Sequence, residues 1–500
     1  GLASQAEAAR EHGRELRFAV LDDSPDPAVR EEYRSRLAAL RRRFGVEISY
    51  AGREEKLRFA AALRTEGIPP EAVAATLLDP EGVGLTIGAN RNSVLLQTVG
   101  EGVVSVDDDT LARGGPPPAP EPGVELLTGT VPGMAFLSAR EPGSIRGFTS
   151  RAEAMAAVDL RTVDLPGVHE ALLGREVSAW LRDFDPAAPA VLDRADPALL
   201  QSLESGGRVV VTTNGWVGDC GWRSPIFYML QTGDSWRHLV RSADFYRTVT
   251  ASKEIVRFMP RPAVGNAESF MATMFCGFDN RGLLPPFPPV LWGEDLLYGL
   301  TLQLAFPAAR AGHLPWVALH DPIEQRGFWP GEMVRTASGI DHSRLLSALL
   351  VDFVPDFSRD PADALRRLGA FLQELGRMEP GAFDELARRR VRERAEAFAA
   401  DLAARLDDWQ ERRGETGAPE AEELWAADVR RYRDMLLRHA AEPDFAVPLD
   451  LLYHREPEEA RRLAQRLLVH HGIELAHWPD LVEAVRRLKA RGQSLAEVVP

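Results

Sequence analysis

The chain has 500 residues, 45% hydrophobic and 27% charged, the balance of a soluble globular protein long enough for two or three domains. Its formal net charge of −15 argues against nucleic acid or an anionic membrane surface as partner. No apolar run approaches the ~20 residues of a membrane span, and two cysteines, Cys220 and Cys276, leave no basis for a disulfide scaffold or a four-cysteine zinc site, so a reducing cytoplasm is the expected location.

Residues 1–16 read as a helix without the apolar centre of a signal peptide. Leu16 to Leu21 follow as a short apolar strand ending in Asp22, Asp23, Ser24 and Pro25, which is either a two-carboxylate site or an Asx turn before the next helix. A helix over Asp26 to Phe44, a strand over Val46 to Gly52, and helices over Glu54 to Leu63 and Pro70 to Leu78 continue the alternation. That order predicts a parallel sheet, whose ligands sit at the carboxyl ends of strands.

The stretch Leu85 to Thr110 carries the most chemistry. Gly88, Asn90, Arg91 and Asn92 offer hydrogen-bond donors and one fixed cation. An apolar segment then leads to a strand in which Val103, Val104 and Val106 favour burial, and the strand ends in Asp107, Asp108 and Asp109. Asp107 and Asp109 lie two apart, so an extended backbone puts both carboxylates on one side, where they can share a hard divalent cation whose further ligand is phosphate. The plainer alternative is a solvated turn built from Asp.

Gly114 to Gly123 is a Pro/Gly linker, and the helical stretches around Met155 and over Ala171 to Leu181 carry no readable function. Arg208 to Thr213 is a buried strand opening into a glycine-rich loop with Trp216, Asp219 and Trp222, whose indole faces suit sugar rings as well as a core. Gly265 to Phe278 makes a second approach to the same region, and both cysteines read as buried small residues. Beyond lie Asp279, Asn280, Arg281 and Trp292, then Gly293, Glu294 and Asp295 heading an apolar helix, where first-turn acids are common in any protein. His320 follows the run LPWVAL, with Arg326 close behind. From His342 onward the chain is amphipathic helix, read as a domain that packs on the first, docks an acceptor or forms a homo-oligomer. His470 and His471 are adjacent and make a poor metal pair.

Together these motifs resemble the inverting family-2-like glycosyltransferases of the GT-A fold: Gly-x-x-Arg-Asn, an apolar helix, a strand into Asp-x-Asp, a Gly-x-Asp-x-Arg loop and Trp-Gly-Glu-Asp heading a helix. The likeness runs from about Leu16 to about Trp329. It implies an α/β GT-A domain over residues 1–335, Rossmann-like and mostly parallel with flanking helices but lacking the family's usual first strand; the helical spacing beyond it gives an all-α domain over 340–500. The likeness implies metal-dependent transfer, with inversion, from a nucleoside diphosphate sugar to a glycan, peptide or small-molecule acceptor. By that resemblance Asp107, Asp109 and His320 hold Mn²⁺ or Mg²⁺, imidazole favouring Mn²⁺. Asp22 or Asp23 reads the nucleoside, Asn90, Arg91 and Asn92 steady the donor beside Asp108, and Arg326 reaches the diphosphate. Asp295 is the general base with Glu294 as its brace, and Trp216, Trp222, Asp279, Asn280 and Trp292 meet the acceptor. The proline-rich insert from Leu283 to Val290 departs from the pattern. Because the donor motifs precede Trp329, the C-terminal helices are expected to be dispensable for the nucleotide site. Two alternatives remain: a nucleotidyltransferase, disfavoured because Lys56, Lys253 and Lys489 are the only lysines, and a non-catalytic scaffold of the same fold.

Overall fold

The computed structural model describes residues 2–117, 120–129, 133–136, 158–184, 188–203, 206–267, 273–324, 326–329, 331–356, 360–413 and 417–500. The helical stretch expected around Met155, and parts of the Gly114 to Gly123 linker and of Gly265 to Phe278, lie outside the described residues.

The strands are β1 (Phe18–Leu21), β2 (Ile48–Ala51), β3 (Gly102–Val106), β4 (Thr110–Gly115), β5 (Val124–Leu127), β6 (Gly133–Phe136), β7 (Ala190–Arg194), β8 (Arg208–Asp219), β9 (Glu254–Phe258), β10 (Ala263–Asn266), β11 (Phe275–Asp279), β12 (Ala309–His320) and β13 (Glu497–Val498). The principal helices are α1 (Leu2–Glu11), α2 (Pro27–Phe44), α3 (Arg53–Thr65), α4 (Pro70–Leu77), α5 (Ile87–Gln97), α6 (Glu294–Ala305), α7 (His342–Leu349), α8 (Pro361–Gly376), α9 (Pro380–Arg413), α10 (Glu420–Ala440) and α11 (Pro457–Ala490). Local chemistry sets their ends. The Asp26 side chain accepts from Ala28 N at the head of α2, Pro27 takes a first-turn position where no donor is needed, and Gly45 closes the helix in the left-handed region.

An α/β architecture is present, but the main sheet is mixed. It runs β3-β11-β8-β12-β10-β5-β7, with β4 on β12 and β6 and β9 beyond β8. The pairs β8/β12, β10/β5 and β5/β7 are parallel, whereas β11 is antiparallel to both β3 and β8. After β3 the chain turns back through Asp107 to Asp109 into β4 with no helical crossover, and only a crossover would have kept the strands parallel.

β1 and β2 are parallel and form a separate three-stranded sheet with β13. Among the described residues β1 pairs only with β2, and β3 only with β11. The free edges of β1 and β3 line one cleft. Arg17 Nη2 bridges to Glu101 Oε2 at 3.0 Å just before the two strands begin, and consecutive residues of α5 hold their far ends, Asn90 to Leu21 O and Arg91 to Asp107. An unpaired edge leaves β3 half-exposed where its valines had predicted burial, and Val106 is 37% exposed.

The helical C-terminal region shares its core with the rest. One continuous apolar cluster runs from Ala51 through α5, α6 and α7 to α8, α10, α11 and Ala496. Trp478 Nε1 donates to Leu284 O at 2.6 Å, Lys489 Nζ to Val99 O at 2.9 Å, and β13 pairs antiparallel with β2. The carboxyl of Glu474 on α11 is fully buried against Asn92 of α5 and His471, and burial pushes its pKa well above the ordinary range. These ties reach the helix that carries Arg91, so the C-terminal helices pack directly on the part of the chain that holds Arg91. Among the described residues no helix is long and apolar enough to cross a membrane.

Candidate active site

A cleft of about 2140 Å³ opens where the ends of β1 and β3, the start of α6 and the end of β12 meet. Asp22, Asp23, Asn90, Arg91, Asp107, Asp108, Asp109, Trp222, Trp292, Glu294, Asp295, His320 and Arg326 all border it.

Arg91 is the hub. Its Nη1 and Nη2 grip Asp107 at 3.2 and 3.0 Å, and its Nε meets Glu294 Oε1 at 3.1 Å. Burial opposes the charge, but the carboxylates of Asp107 and Glu294 outweigh it and hold the guanidinium above its ordinary value. A glycine is required one turn earlier, because a Cβ on Gly88 would fall 1.7 Å from Pro288 O and push α5 off the proline insert. Asn92 faces the opposite way from Arg91: fully buried, it pairs with the backbone of Phe287 and with Glu474. Asn92 is therefore a core tie that does not border the cleft.

Asp22 is committed to structure as well. Tyr50 Oη donates to its Oδ2 at 2.7 Å, and Ser24 N to its Oδ1 at 2.8 Å, the Asx turn that the plainer reading offered. Asp23 is the member left facing the cleft. It is bonded by Thr86 and by Lys56 Nζ at 3.0 Å, and Lys56 also holds Asn90 Oδ1 at 2.9 Å. Sequence reasoning assigned Lys56 no role. The signal was one lysine on a helix whose other charges are arginine and glutamate, yet only its burial shows that it braces Asp23.

Asp109 and His320 meet at 3.1 Å, although β4 to β12 separate them in sequence. Residue Thr110 pairs with His320 across β4 and β12, which brings the Asp turn against the imidazole. His320 Nδ1 lies 2.6 Å from Asp219 O, which fixes the ring with Nε2 toward Asp109. Burial opposes its protonation, but Asp109 and the Asp219 carbonyl prevail and raise its pKa. Burial likewise works against ionised Asp109, and the His320 hydrogen bond overcomes it, so its pKa is lowered. Asp108 has no such partner: burial, then Asp109 and Asp107, raise it. Among the described residues no three His, Cys, Asp or Glu side chains converge as a metal site. The expected set of Asp107, Asp109 and His320 is thus not assembled, since Asp107 is held by Arg91. Asp109 and His320 alone have the chemistry and anchoring of a ligand pair.

Gly293 heads α6 with φ 89, and a Cβ there would strike Ser343 Oγ at 2.5 Å. Glu294 is thereby turned inward to Arg91, and Asp295 toward the cleft, where it is half-buried. Burial, then the Glu294 charge, raise the Asp295 pKa to about 7. Arg326 is oriented by two bonds to Asp219, at 3.0 and 3.1 Å.

The residues expected to meet an acceptor divide. Trp292 is 39% exposed at the rim with Arg223 over its ring, and Trp222 lines the cleft against Phe227. Trp216 is core, edge-on to Trp222 and covered by Arg257. Asp279 and Asn280 sit at the far end of the sheet: β11 is antiparallel to β3, which sets Asp279 opposite Gly102 while Phe275 lies opposite Val106 next to the Asp turn. There Asp279 binds Arg208 and Arg281, and Asn280 binds Leu95 O and Thr98. Asp279→Ala is expected to lower unfolding free energy by about 1–3 kcal/mol, because it removes charged hydrogen bonds from two half-exposed guanidiniums that water can still solvate, while leaving ligand affinity in the cleft unchanged; urea melts beside calorimetry would check both. Both cysteines are buried, and burial raises the Cys220 thiol to about 12, which suits neither as a nucleophile.

Compared with known proteins, the chain matches no family model, no curated protein and no solved structure.

Proposed function

We propose that the chain is a glycosyltransferase that moves a sugar from a nucleoside diphosphate donor to an acceptor hydroxyl with the help of a divalent cation. One observation carries this reading: carboxylates from segments far apart in sequence, Asp23, Asp109 and Asp295, border one cleft together with His320 and an exposed indole. The resemblance to GT-A enzymes gives the same roles to those positions.

In this reading Asp109 and His320 hold the cation, which when bound neutralises the leaving diphosphate. Arg326, aimed by Asp219, meets diphosphate oxygens. Asp23, braced by Lys56, faces the nucleoside, and Trp292 offers its face to an acceptor ring. Asp295 takes the acceptor proton as the oxygen attacks, and a pKa near 7 suits a base that must be ionised in the resting state yet accept a proton. A nucleotidyltransferase would want a lysine on the triphosphate, but the ammonium of Lys56 is already bound by Asp23 and Asn90.

A panel of nucleotide sugars with Mn²⁺, read by nucleoside diphosphate release, tests the proposal. Release from one donor class supports it, and a flat panel with no nucleotide binding overturns it. Asp109→Ala is expected to abolish the cation-dependent part of nucleotide affinity in calorimetry. The same affinity should fall from pH 8 to pH 6 in the unaltered protein: the His320 pKa is raised, so protons compete with the cation for its Nε2 as pH drops.

A further inference from the structure

Arg257 has no role in the chemistry above, and its surroundings are unusual for a charged group. It is 6% exposed on β9, and its guanidinium carbon lies 4.8 Å from the centre of the Trp216 ring. Among the described residues no carboxylate pairs with it, and burial alone lowers its pKa, to about 10, so it stays charged at neutral pH. Stacking on an indole restores only part of the hydration that burial removes. Yet the side chain is not sealed in the core, because it forms part of the cleft wall. Arg194 lies on the same wall, its charge balanced by Glu125, and both guanidiniums help burial hold His313 neutral, near 3.

Register relates Arg257 to the cation pair. Trp216 stands opposite Arg257 on one side and Ala318 on the other, while Gly218, two residues on, stands opposite Ile255 and His320. Paired residues, and residues two apart, share a face, so Arg257 and His320 project from the same side of the sheet. Strand spacing and rise put their backbones roughly 12 Å apart, within the span of one sugar-containing ligand.

We propose that Arg257 receives an anionic group, a carboxylate or phosphate carried on a sugar-sized ligand that extends from the Asp109 and His320 end of the cleft. The anion site stands on Arg257 itself; only the sugar character of the ligand rests on the transferase reading. A planar fork of donors backed by an indole is preorganised for such an oxyanion, whose charge supplies the counter-ion that none of the described residues provides.

Glucose 6-phosphate, glucuronate and plain glucose are the probes for thermal melts of the whole chain and of Arg257→Met and Arg257→Lys. The two anions are expected to raise the midpoint of the unaltered protein where glucose does not. Arg257→Met, freed of an unpaired buried charge, should melt higher without ligand and no longer respond, whereas Arg257→Lys should keep a response at about tenfold weaker affinity. Anion responses equal in Arg257→Met and the unaltered chain would overturn the proposal. Calorimetry with UDP-glucuronate and UDP-glucose then separates the sources: a tenfold preference for the former that vanishes in Arg257→Met assigns the anion to the donor, and equal affinities beside a retained response to glucose 6-phosphate assign it to the acceptor. Loss of nucleotide binding altogether would count against the transferase reading, while the melts with sugar anions still decide the role of Arg257.

Discussion

Asp295→Asn is expected to lose about 10²–10⁴-fold in transfer rate at saturating acceptor while donor affinity stays nearly unchanged, since the amide keeps the shape and removes the base. In the unaltered protein the rate should rise about tenfold per pH unit below pH 7 and level above it, because the ionised carboxylate is the working form and its pKa is about 7. The sign for stability is the reverse. A carboxyl whose folded pKa lies above its unfolded value holds extra protons in the native state, so it costs stability as pH rises from about 4 to 7. The Asn variant should therefore melt higher than the parent at pH 8. Full turnover by the variant would remove Asp295 from the mechanism, and a lowered melting point would assign it a structural part instead.

Arg91→Met carries the largest expected cost in stability, about 3–5 kcal/mol, because it leaves Glu294, only 6% exposed, without its cation and releases Asp107 at the same time. Urea unfolding should show a lower midpoint at an unchanged slope. Arg91→Lys is expected to recover only part, since a single ammonium cannot grip Asp107 with two nitrogens and still reach Glu294. A second effect follows from charge alone. With Arg91 gone, the unpaired Glu294 bears more strongly on its neighbour, so the pH profile of any surviving activity should move above pH 7. An unshifted profile would separate the hub from the base.

Much of this site was legible wherever the chemistry is local. Two carboxylates two apart at a strand end, an arginine one helix earlier and a Gly-Glu-Asp helix start are short-range patterns, and each lies at the cleft. Strand direction is not a short-range property. Asp279 and Asn280 follow a strand, as the expected acceptor loop should, but β11 descends where β3 ascends, so the motif ends at the wrong end of the sheet. Asn92 lies off the cleft for a related reason: successive helix residues point about 100° apart, and with Arg91 turned to Asp107 its neighbour is turned into the core. In the Asp22-Asp23 turn the side chains were indistinguishable until Tyr50, contributed by β2, was seen to occupy the first of them. The unity of the core was hidden as well, because amphipathic stripes show that α11 is buried on one side without naming what it is buried against.

The pairing of β13 with β2 has a kinetic side. Two short strands are marginal by themselves, and the strand that completes their sheet is drawn from residues 497–498, which also brings Val499 into the same apolar cluster as Ala6, Ile48 and Tyr50. At about 5–20 residues per second, synthesis of the intervening chain takes on the order of tens of seconds. Throughout that interval β1 and β2, and with them the Asp22-Asp23 turn, emerge unsupported, and closing so long a loop is slow by its entropy. This corner is therefore completed late in folding, and with it the end of the cleft that Asp23 borders.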